Sequence, residues 1–181
     1  MPLELVTGRP ALDFVATVAE RHTTRLEHLR TADDLADWVQ QAGLLDERPA
    51  VDPEGLEHAR ALREAVFALV AALIDGTPPD PRARAVVNAA AAASGPTLEL
   101  TVASELRRTG DLSAALAVIA RDCLELFGGT DRHALRWCAD PACTRPFLDR
   151  SRGQRRRWCG MRGCGDRAKA AAYRRRRRAA L

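Results

Sequence analysis

Four cysteines in the carboxyl-terminal third of the chain form the clearest chemical pattern. The phrase Arg-Trp-Cys occurs twice, and each time a second cysteine follows after four residues, which pairs Cys138 with Cys143 and Cys159 with Cys164. Four thiolate sulfurs at about 2.3 Å from one ion are the usual shell of a structural zinc site. The 15 residues between the pairs are enough for a turn or hairpin, so both pairs can face one ion. We therefore predict one structural zinc ion (Zn) held by these four residues.

Two disulfide bonds, or reduced thiols that share this spacing by chance, are the alternatives. The sequence shows no secretory signal, in which a basic stretch precedes a continuous apolar one. Disulfides are rare outside oxidising compartments, which favours the metal. The fifth cysteine, Cys123, shares an apolar helical stripe with Leu116, Ala120 and Phe127. We expect Cys123 to be a small buried core residue.

Positive charge is concentrated around the four paired cysteines. Residues 1–133 contain 13 arginines and 21 acidic residues, a net charge of −8, whereas residues 134–181 contain 14 arginines, one lysine and three acidic residues, a net charge of +12. A dense basic surface of this kind is typical of proteins that bind a polyanion, and we expect DNA to be the partner. The residues expected to contact nucleic acid are Arg150, Arg152, Arg155, Arg156, Arg157, Arg167, Lys169, Arg174, Arg175, Arg176, Arg177 and Arg178.

A basic helix is predicted after the last cysteine. Asp166 stands where a helix cap is expected, and five consecutive arginines follow at residues 174–178. A helix held in place by a metal site can approach a DNA groove. The alternatives are a solvated tail that keeps the protein soluble and a nonspecific RNA-binding arm.

Two tryptophans directly precede the first cysteine of each pair. A unit of fewer than fifty residues is too small for a large core of its own, so aromatic rings beside the ligands are expected to shield the sulfurs. We predict that Trp137 and Trp158 pack on Phe147. Stacking of these rings on nucleic-acid bases is the alternative.

The remainder of the chain predicts helices with little strand. Apolar residues, mainly Ala, Leu and Val, make up 46% of the sequence, and they recur at helical spacing between capping residues and glycines. The predicted fold class is mostly α, with a helical domain with minor short strands over residues 1–129 and a small four-cysteine zinc module over residues 134–181 that ends in the basic helix. The predicted helices cover residues 11–20, 31–41, 52–75, 80–94 and 111–127, and a strand at residues 97–102 is predicted to pair with residues 3–6.

The sequence contains none of the familiar catalytic patterns. It has no glycine-rich phosphate loop, no His-Glu-x-x-His helix and no Ser/His/Asp ordering, and its four histidines form no ligand set. We therefore expect no enzyme activity. No apolar run approaches the roughly 20 residues that cross a bilayer, so we expect a cytoplasmic protein without membrane contact.

The motifs around the cysteines resemble the CGNR-type zinc finger. The matching segments are the two cysteine pairs together with residues 147–152, 156–159 and 164–169. Residues 8–15, Gly-Arg-Pro-Ala-Leu-Asp-Phe-Val, and the helical stretch after them resemble the ABATE domain that usually precedes this finger. The resemblance implies a bacterial transcription regulator, described as stress-induced, in which the four cysteines hold zinc and the finger binds DNA.

The sequence departs from the name-giving motif at Asp166, where the CGNR motif has Asn. Both residues cap helices well, but Asp lacks the amide donor that could read a base and repels phosphate. The fold should survive this change, whereas sequence-specific recognition of DNA is put in question. A nonspecific RNA-binding or ribosome-associated zinc protein, and a small-molecule receptor tethered to DNA, remain alternative functions. A homodimer and a small-molecule effector of the helical domain are further partners to consider.

Overall fold

The computed structural model describes residues 5–179, and α-helix dominates this part of the chain. None of the helices among these residues combines the length and the apolar character needed to span a membrane. The helices are α1 (Pro10–Val15), α2 (Ala32–Gln41), α3 (Pro53–Asp75), α4 (Pro81–Ala92), α5 (Leu112–Gly128) and α6 (Asp166–Ala179).

Four helices begin where short polar side chains cap them. Thr31, Asp52, Asp80 and Asp111 precede α2, α3, α4 and α5, and each side chain accepts a hydrogen bond from the backbone N–H three residues further on. These bonds satisfy donors that the first helical turn leaves unpaired. Gly76 ends α3 in the left-handed conformation, with a φ of 67°, which glycine adopts without steric cost. The predicted starts of these helices are confirmed.

The long helix α3 is the centre of the helical domain. Helices α3, α4 and α5 pack against one another, α1 packs on α3 and α5, and α2 packs on α3. Trp38 of α2 meets Phe14 of α1 with ring centroids 5.0 Å apart. Cys123 of α5 is completely buried, as predicted, and burial raises the pKa of its thiol to about 12.

The first helix is shorter than the sequence predicts. Helix α1 ends at Val15, and the chain turns into strand β1 (Val18–Ala19), which pairs antiparallel with β2 (Leu26–Glu27). The hydroxyl of Thr17 donates to the carbonyl of Phe14 at 2.7 Å and closes the turn. The helical spacing of apolar residues up to residue 20 is thus overridden by pairing with a later segment, and the second half of this predicted helix is wrong.

The predicted strand at residues 97–102 forms, but its partner is different. Strand β3 (Thr97–Leu100) pairs antiparallel with β4 (Leu106–Thr109), with Leu100 opposite Leu106. The chain reverses within a few residues, so the local partner is available at a lower entropic cost than residues 3–6. Residues 3 and 4 of the predicted partner lie outside the described residues, and residues 5 and 6 are in no strand.

The apolar core continues from the helices into the cysteine-rich segment. Strands β5 (Leu135–Trp137) and β6 (Pro146–Leu148) form a hairpin after the short 3-10 helix Thr130–Ala134. Leu135 and Leu148 are each only 2% exposed and belong to the same buried cluster as the helices. The backbone N–H of Leu148 also donates to the carbonyl of Thr7 at 2.9 Å. The core therefore crosses the boundary that the sequence places between residues 129 and 134.

Candidate metal centre and basic surface

The four paired cysteines converge from four separate backbone segments. Cys138 follows β5, Cys143 lies in the loop before β6, Cys159 lies in a bend, and Cys164 lies in the turn Met161–Gly165 that leads into α6. Their sulfur atoms all lie within 4.8 Å of one another, with Cys143 and Cys159 3.7 Å apart and Cys159 and Cys164 3.8 Å apart. Four sulfurs on one tetrahedral zinc ion are separated by about 3.8 Å. A disulfide would require about 2.0 Å, so the geometry fits a metal site and excludes disulfide bonds between these cysteines.

The pKa values of the clustered thiols shift in opposite directions, since hydrogen bonds with Cys143 and Cys159 lower the pKa of Cys138 while the pKa values of the other three thiols are raised. Burial raises the pKa of the Cys164 thiol to about 12, and the charges of Cys143 and Cys138 add to this effect. Hydrogen bonding to Cys138 and Cys143, followed by burial, raises the pKa of Cys159 as well. Four adjacent sulfurs cannot all be thiolates at neutral pH unless a cation offsets their repulsion. A divalent zinc ion supplies that charge and crosslinks the four segments.

Two N–H donors other than the thiols point at the sulfurs. The backbone N–H of Cys159 donates to the Sγ of Cys138 at 3.5 Å, and the guanidinium of Arg167 donates to the Sγ of Cys164 at 3.1 Å. Arg167 also donates from its Nε to the carboxylate of Asp140 at 2.8 Å. The hydrogen bond to Asp140 is the largest cause of a raised Arg167 pKa. Arg167, a predicted nucleic-acid contact, therefore also links the start of α6 to the loop between Cys138 and Cys143.

One of the two tryptophans packs as predicted. Trp158 lies against the buried cluster formed by the sulfurs and Phe147. Trp137 instead contacts helix α3, with its ring centroid 5.9 Å from that of Phe67 and its Nε1 donating to Asp75 at 3.0 Å. The prediction for Trp137 is wrong because the strand that carries it packs on α3, which offers both a ring and a hydrogen-bond acceptor.

Asp149 organises the turn between the cysteine pairs, a role that the sequence reasoning missed. Its side chain is 1% exposed and accepts hydrogen bonds from the Ser151 backbone at 3.0 Å, the Ser151 hydroxyl at 2.5 Å and the Arg156 backbone at 2.8 Å. Burial raises its pKa, but these hydrogen bonds outweigh burial, and the net pKa is lowered. The spacing of Asp149 and Ser151 is typical of an Asx turn and could have indicated this role.

The predicted nucleic-acid contacts fall into two groups. The first group is engaged within the protein. Arg150 pairs with Asp131 at 2.9 Å, and Lys169 lies 4.0 Å from the carboxylate of Asp166. Arg156 donates to the backbone carbonyls of Trp158 and Cys159 and lies over the ring of Phe147, Arg157 lies over the ring of Trp158, and Arg167 contacts Asp140 and Cys164. The second group consists of exposed side chains without a hydrogen bond or ion pair to other described residues, namely Arg152, Arg155 and Arg174–Arg178.

Helix α6 begins without the predicted cap. Asp166 has helical backbone angles, with φ of −70° and ψ of −39°, and is the first residue of the helix. The turn Met161–Gly165 runs directly into α6, and the N–H of Gly165 already donates to the carbonyl of Gly160 at 3.1 Å. The preceding turn therefore takes the place of the cap, and the prediction that Asp166 caps α6 is wrong.

A groove of about 580 Å³ runs between α6 and the loop that joins Cys138 to Cys143. The loop contributes Ala139 and Pro141, while Trp158 with Arg157 forms part of the lining. The α6 side carries small alanines among cations, and Asp140 is an acidic lining residue. The basic residues that line the groove are Arg157, Arg167, Lys169, Arg174 and Arg175.

Family comparison agrees with this architecture. Residues 8–130 match the ABATE family, described as "Putative stress-induced transcription regulator", and residues 134–177 match the CGNR zinc finger. The first match covers more than half of the chain, so the protein belongs to the ABATE family, with a CGNR zinc finger (the finger, residues 134–177) after the ABATE domain. Zinc is the cofactor that this finger and its four clustered cysteines specify. Comparison with curated proteins gives no match.

Proposed function

We propose that this protein is a transcription regulator that binds DNA through α6 and the basic turn of the finger. The observation that carries the proposal is the attachment of α6 to the metal centre. The helix starts two residues after Cys164, and its exposed run Arg174–Arg178 extends away from the cysteine cluster. A rigidly held basic helix can present its cations to phosphates in a fixed register.

The distribution of charge supports the same surface. The segment from residue 134 onward carries a net charge of +12 and the preceding 133 residues a net charge of −8. Phosphate is attracted to the finger and repelled by the ABATE domain. DNA therefore approaches from the side of α6 and of Arg152 and Arg155, whose side chains are exposed.

Zinc has a structural part in this function. Cys138, Cys143, Cys159 and Cys164 would hold the ion, which closes the finger and supplies no open position for a substrate. Arg167 then ties the base of α6 to Asp140 and to Cys164. The direction of the helix is set by this set of contacts, so loss of the metal should abolish DNA binding along with the fold of the finger.

A salt series tests the proposal. If six to eight cations meet phosphates, the logarithm of the binding constant for a DNA duplex should fall against the logarithm of salt concentration with a slope of roughly −5 to −7. Replacing Arg174–Arg178 with alanine should weaken binding to all sequences and flatten the slope by about one for each arginine that meets a phosphate. The measurement is fluorescence anisotropy with labelled duplexes across the salt series.

The matched control changes arginines of the ABATE domain. Arg82 and Arg84 are exposed on α4, and their replacement with alanine should leave the slope unchanged. Equal slopes for the wild type and the α6 variant would remove the helix from the binding surface. A structured RNA that competes as well as the best duplex would instead assign the finger to RNA.

A further inference from the structure

A second opening lies beside the finger and shares the lining residue Arg167 with the groove of α6. This cleft of about 370 Å³ is lined by residues of the β1–β2 hairpin of the ABATE domain and, at its inner end, by three of the zinc ligands, Cys143, Cys159 and Cys164. One wall contains Ala19 and His28, and the opposite wall contains Arg145 and Arg162. The two walls are joined where the backbone N–H of Arg21 donates to the hydroxyl of Thr144 at 3.1 Å. The cleft therefore lies at the junction of the two family segments.

The cleft has two guanidinium groups that form no hydrogen bond within the described residues, although the charge of Arg145 also acts on the carboxylate of Asp13. The side chains of Arg145 and Arg162 make no hydrogen bond or ion pair with other residues in the described part of the chain. Arg167, by contrast, already serves Asp140 and the sulfur of Cys164. The negative charge of the thiolates is therefore met by Arg167 and by backbone N–H groups, whereas two guanidinium groups remain available to a ligand. Glu20 is the one carboxylate among the lining residues.

The rest of the lining narrows the class of ligand. Val6, Ala19 and Leu26 give the cleft an apolar part, and Leu26 is 51% exposed. Burial, followed by the charge of Arg145, lowers the pKa of His28, so its ring is neutral at pH 7 and offers one N–H donor. The hairpin wall belongs to the acidic part of the chain, which disfavours a DNA strand at this position. A small molecule with one anionic group and a short apolar part meets these conditions.

We propose that the cleft is a binding site for a small organic anion, a carboxylate or a phosphate monoester, held by Arg145 and Arg162 with its apolar part against Val6 and Leu26. Guanidinium groups bind both kinds of anion through paired, charge-assisted hydrogen bonds. The ligand would contact the β1–β2 hairpin and the finger at the same time, so its binding would depend on both parts of the protein. It shares Arg167 with the groove of α6, but the two cations proposed to hold the anion lie outside that groove.

Calorimetric titration of the zinc-loaded full chain tests the site. The probes are benzoate and phenyl phosphate, which share one ring and differ in the anion, with neutral benzamide as the uncharged control. We expect saturable binding of at least one anion and none of benzamide. Absence of binding by both anions at millimolar concentration, or equal binding of benzamide, would overturn the proposal.

Three substitutions locate the site. Arg145→Ala and Arg162→Ala should each lower the affinity for the bound anion by about tenfold or more, since each removes a charge-assisted hydrogen bond. Arg84→Ala removes an equal charge from α4, outside the cleft, and should leave the affinity unchanged. If Arg145 and Arg162 only balance the zinc thiolates, their loss will lower zinc affinity without changing anion binding, and the proposal fails. No DNA is present in these titrations, so their outcome leaves the proposed function separately testable.

Discussion

Some side chains of the finger bond to other groups of the finger, and others only face solvent. Asp149 fixes the turn between the cysteine pairs, and Arg156 and Arg167 bond to groups beside the sulfurs. Arg152 and Arg155 have no such partners among the described residues and face solvent. Substitution at the first set should disturb the fold of the finger, whereas substitution at the second set should disturb only its contacts with nucleic acid.

Replacing one metal ligand should release the metal. Cys159→Ser substitutes a poorer ligand within a cluster whose sulfurs lie 3.7 to 3.8 Å apart, and metal affinity at such a site is largely folding free energy. We expect zinc content to fall from one ion per chain to well below one, as measured by metal analysis of reduced protein. The control is Cys123→Ala in the core of α5, which should keep its zinc. Full zinc content in Cys159→Ser would show that this thiol is not a required ligand.

A buried ion pair in the ABATE domain should make stability depend on acid pH. Arg63, which is 1% exposed, donates to both carboxylate oxygens of Glu27 at 2.7 and 2.6 Å. Burial raises the Glu27 pKa, but hydrogen bonds from Arg63 and from the Leu29 backbone outweigh burial, and the pKa is lowered from its usual 4.5. A carboxyl whose pKa is lower in the folded state than in the unfolded state stabilises the fold at pH values above its unfolded-state pKa. This stabilisation is lost as the pH falls through the folded-state pKa.

Glu27→Gln should therefore reduce the free energy of unfolding by about 1 to 3 kcal/mol at pH 7, because buried Arg63 loses the charge of Glu27 and keeps only its ion pair with Glu64 at 3.1 Å. The difference from the wild type should shrink as the pH falls below 4.5, the usual value for this carboxyl. Urea unfolding at several pH values measures both effects. Glu57→Gln is the control. The Glu57 side chain is 69% exposed in its pair with Arg60, so this substitution should change the free energy of unfolding little. A pH-independent difference would exclude the Glu27 carboxylate as the titrating group.

At the scale of secondary structure, the β5–β6 hairpin joins the finger to the helices. Leu148 of β6 is 2% exposed within the main core, while Leu98 of β3 is 63% exposed. Leu148→Ala should lower the free energy of unfolding by about 2 to 5 kcal/mol through loss of burial and the cavity left behind. Leu98→Ala should lower the free energy of unfolding far less. Circular dichroism of the helices during thermal unfolding measures the stability of both variants. An unchanged melting temperature for Leu148→Ala would show that the hairpin does not contribute to the core of the helices.

Elements controlled by local chemistry were predictable from the sequence. The caps at Thr31 and Asp52 and the glycine after α3 act within one turn, so their effect can be read from neighbouring residues. The β1–β2 pair, by contrast, depends on partners the linear pattern does not show. The cysteine spacing predicted the metal centre, but the contact of Trp137 with α3 required the packing of β5 on that helix.

At the scale of the whole molecule, opposite charges are held close together. The acidic ABATE domain and the basic finger meet through apolar contacts and through Asp131, which pairs with Arg9 at 3.1 Å and with Arg150 at 2.9 Å. The pairing with Arg150 is the largest cause of a lowered Asp131 pKa. The negative surface beside the finger restricts the directions from which a polyanion can approach, and this restriction weakens as salt screens the charges.

The shared core also has a consequence for how the protein is made. A ribosome releases the chain from its amino-terminal end, so the helices emerge before Leu135 and Leu148, which complete their core. Part of the apolar surface of the ABATE domain therefore stays exposed to solvent until the β5–β6 hairpin has been synthesised. Cys159 and Cys164 follow only 11 and 16 residues after Leu148. Completion of the core and capture of the metal are therefore close in time during synthesis, and zinc shortage should leave newly made chains exposed to aggregation and proteolysis.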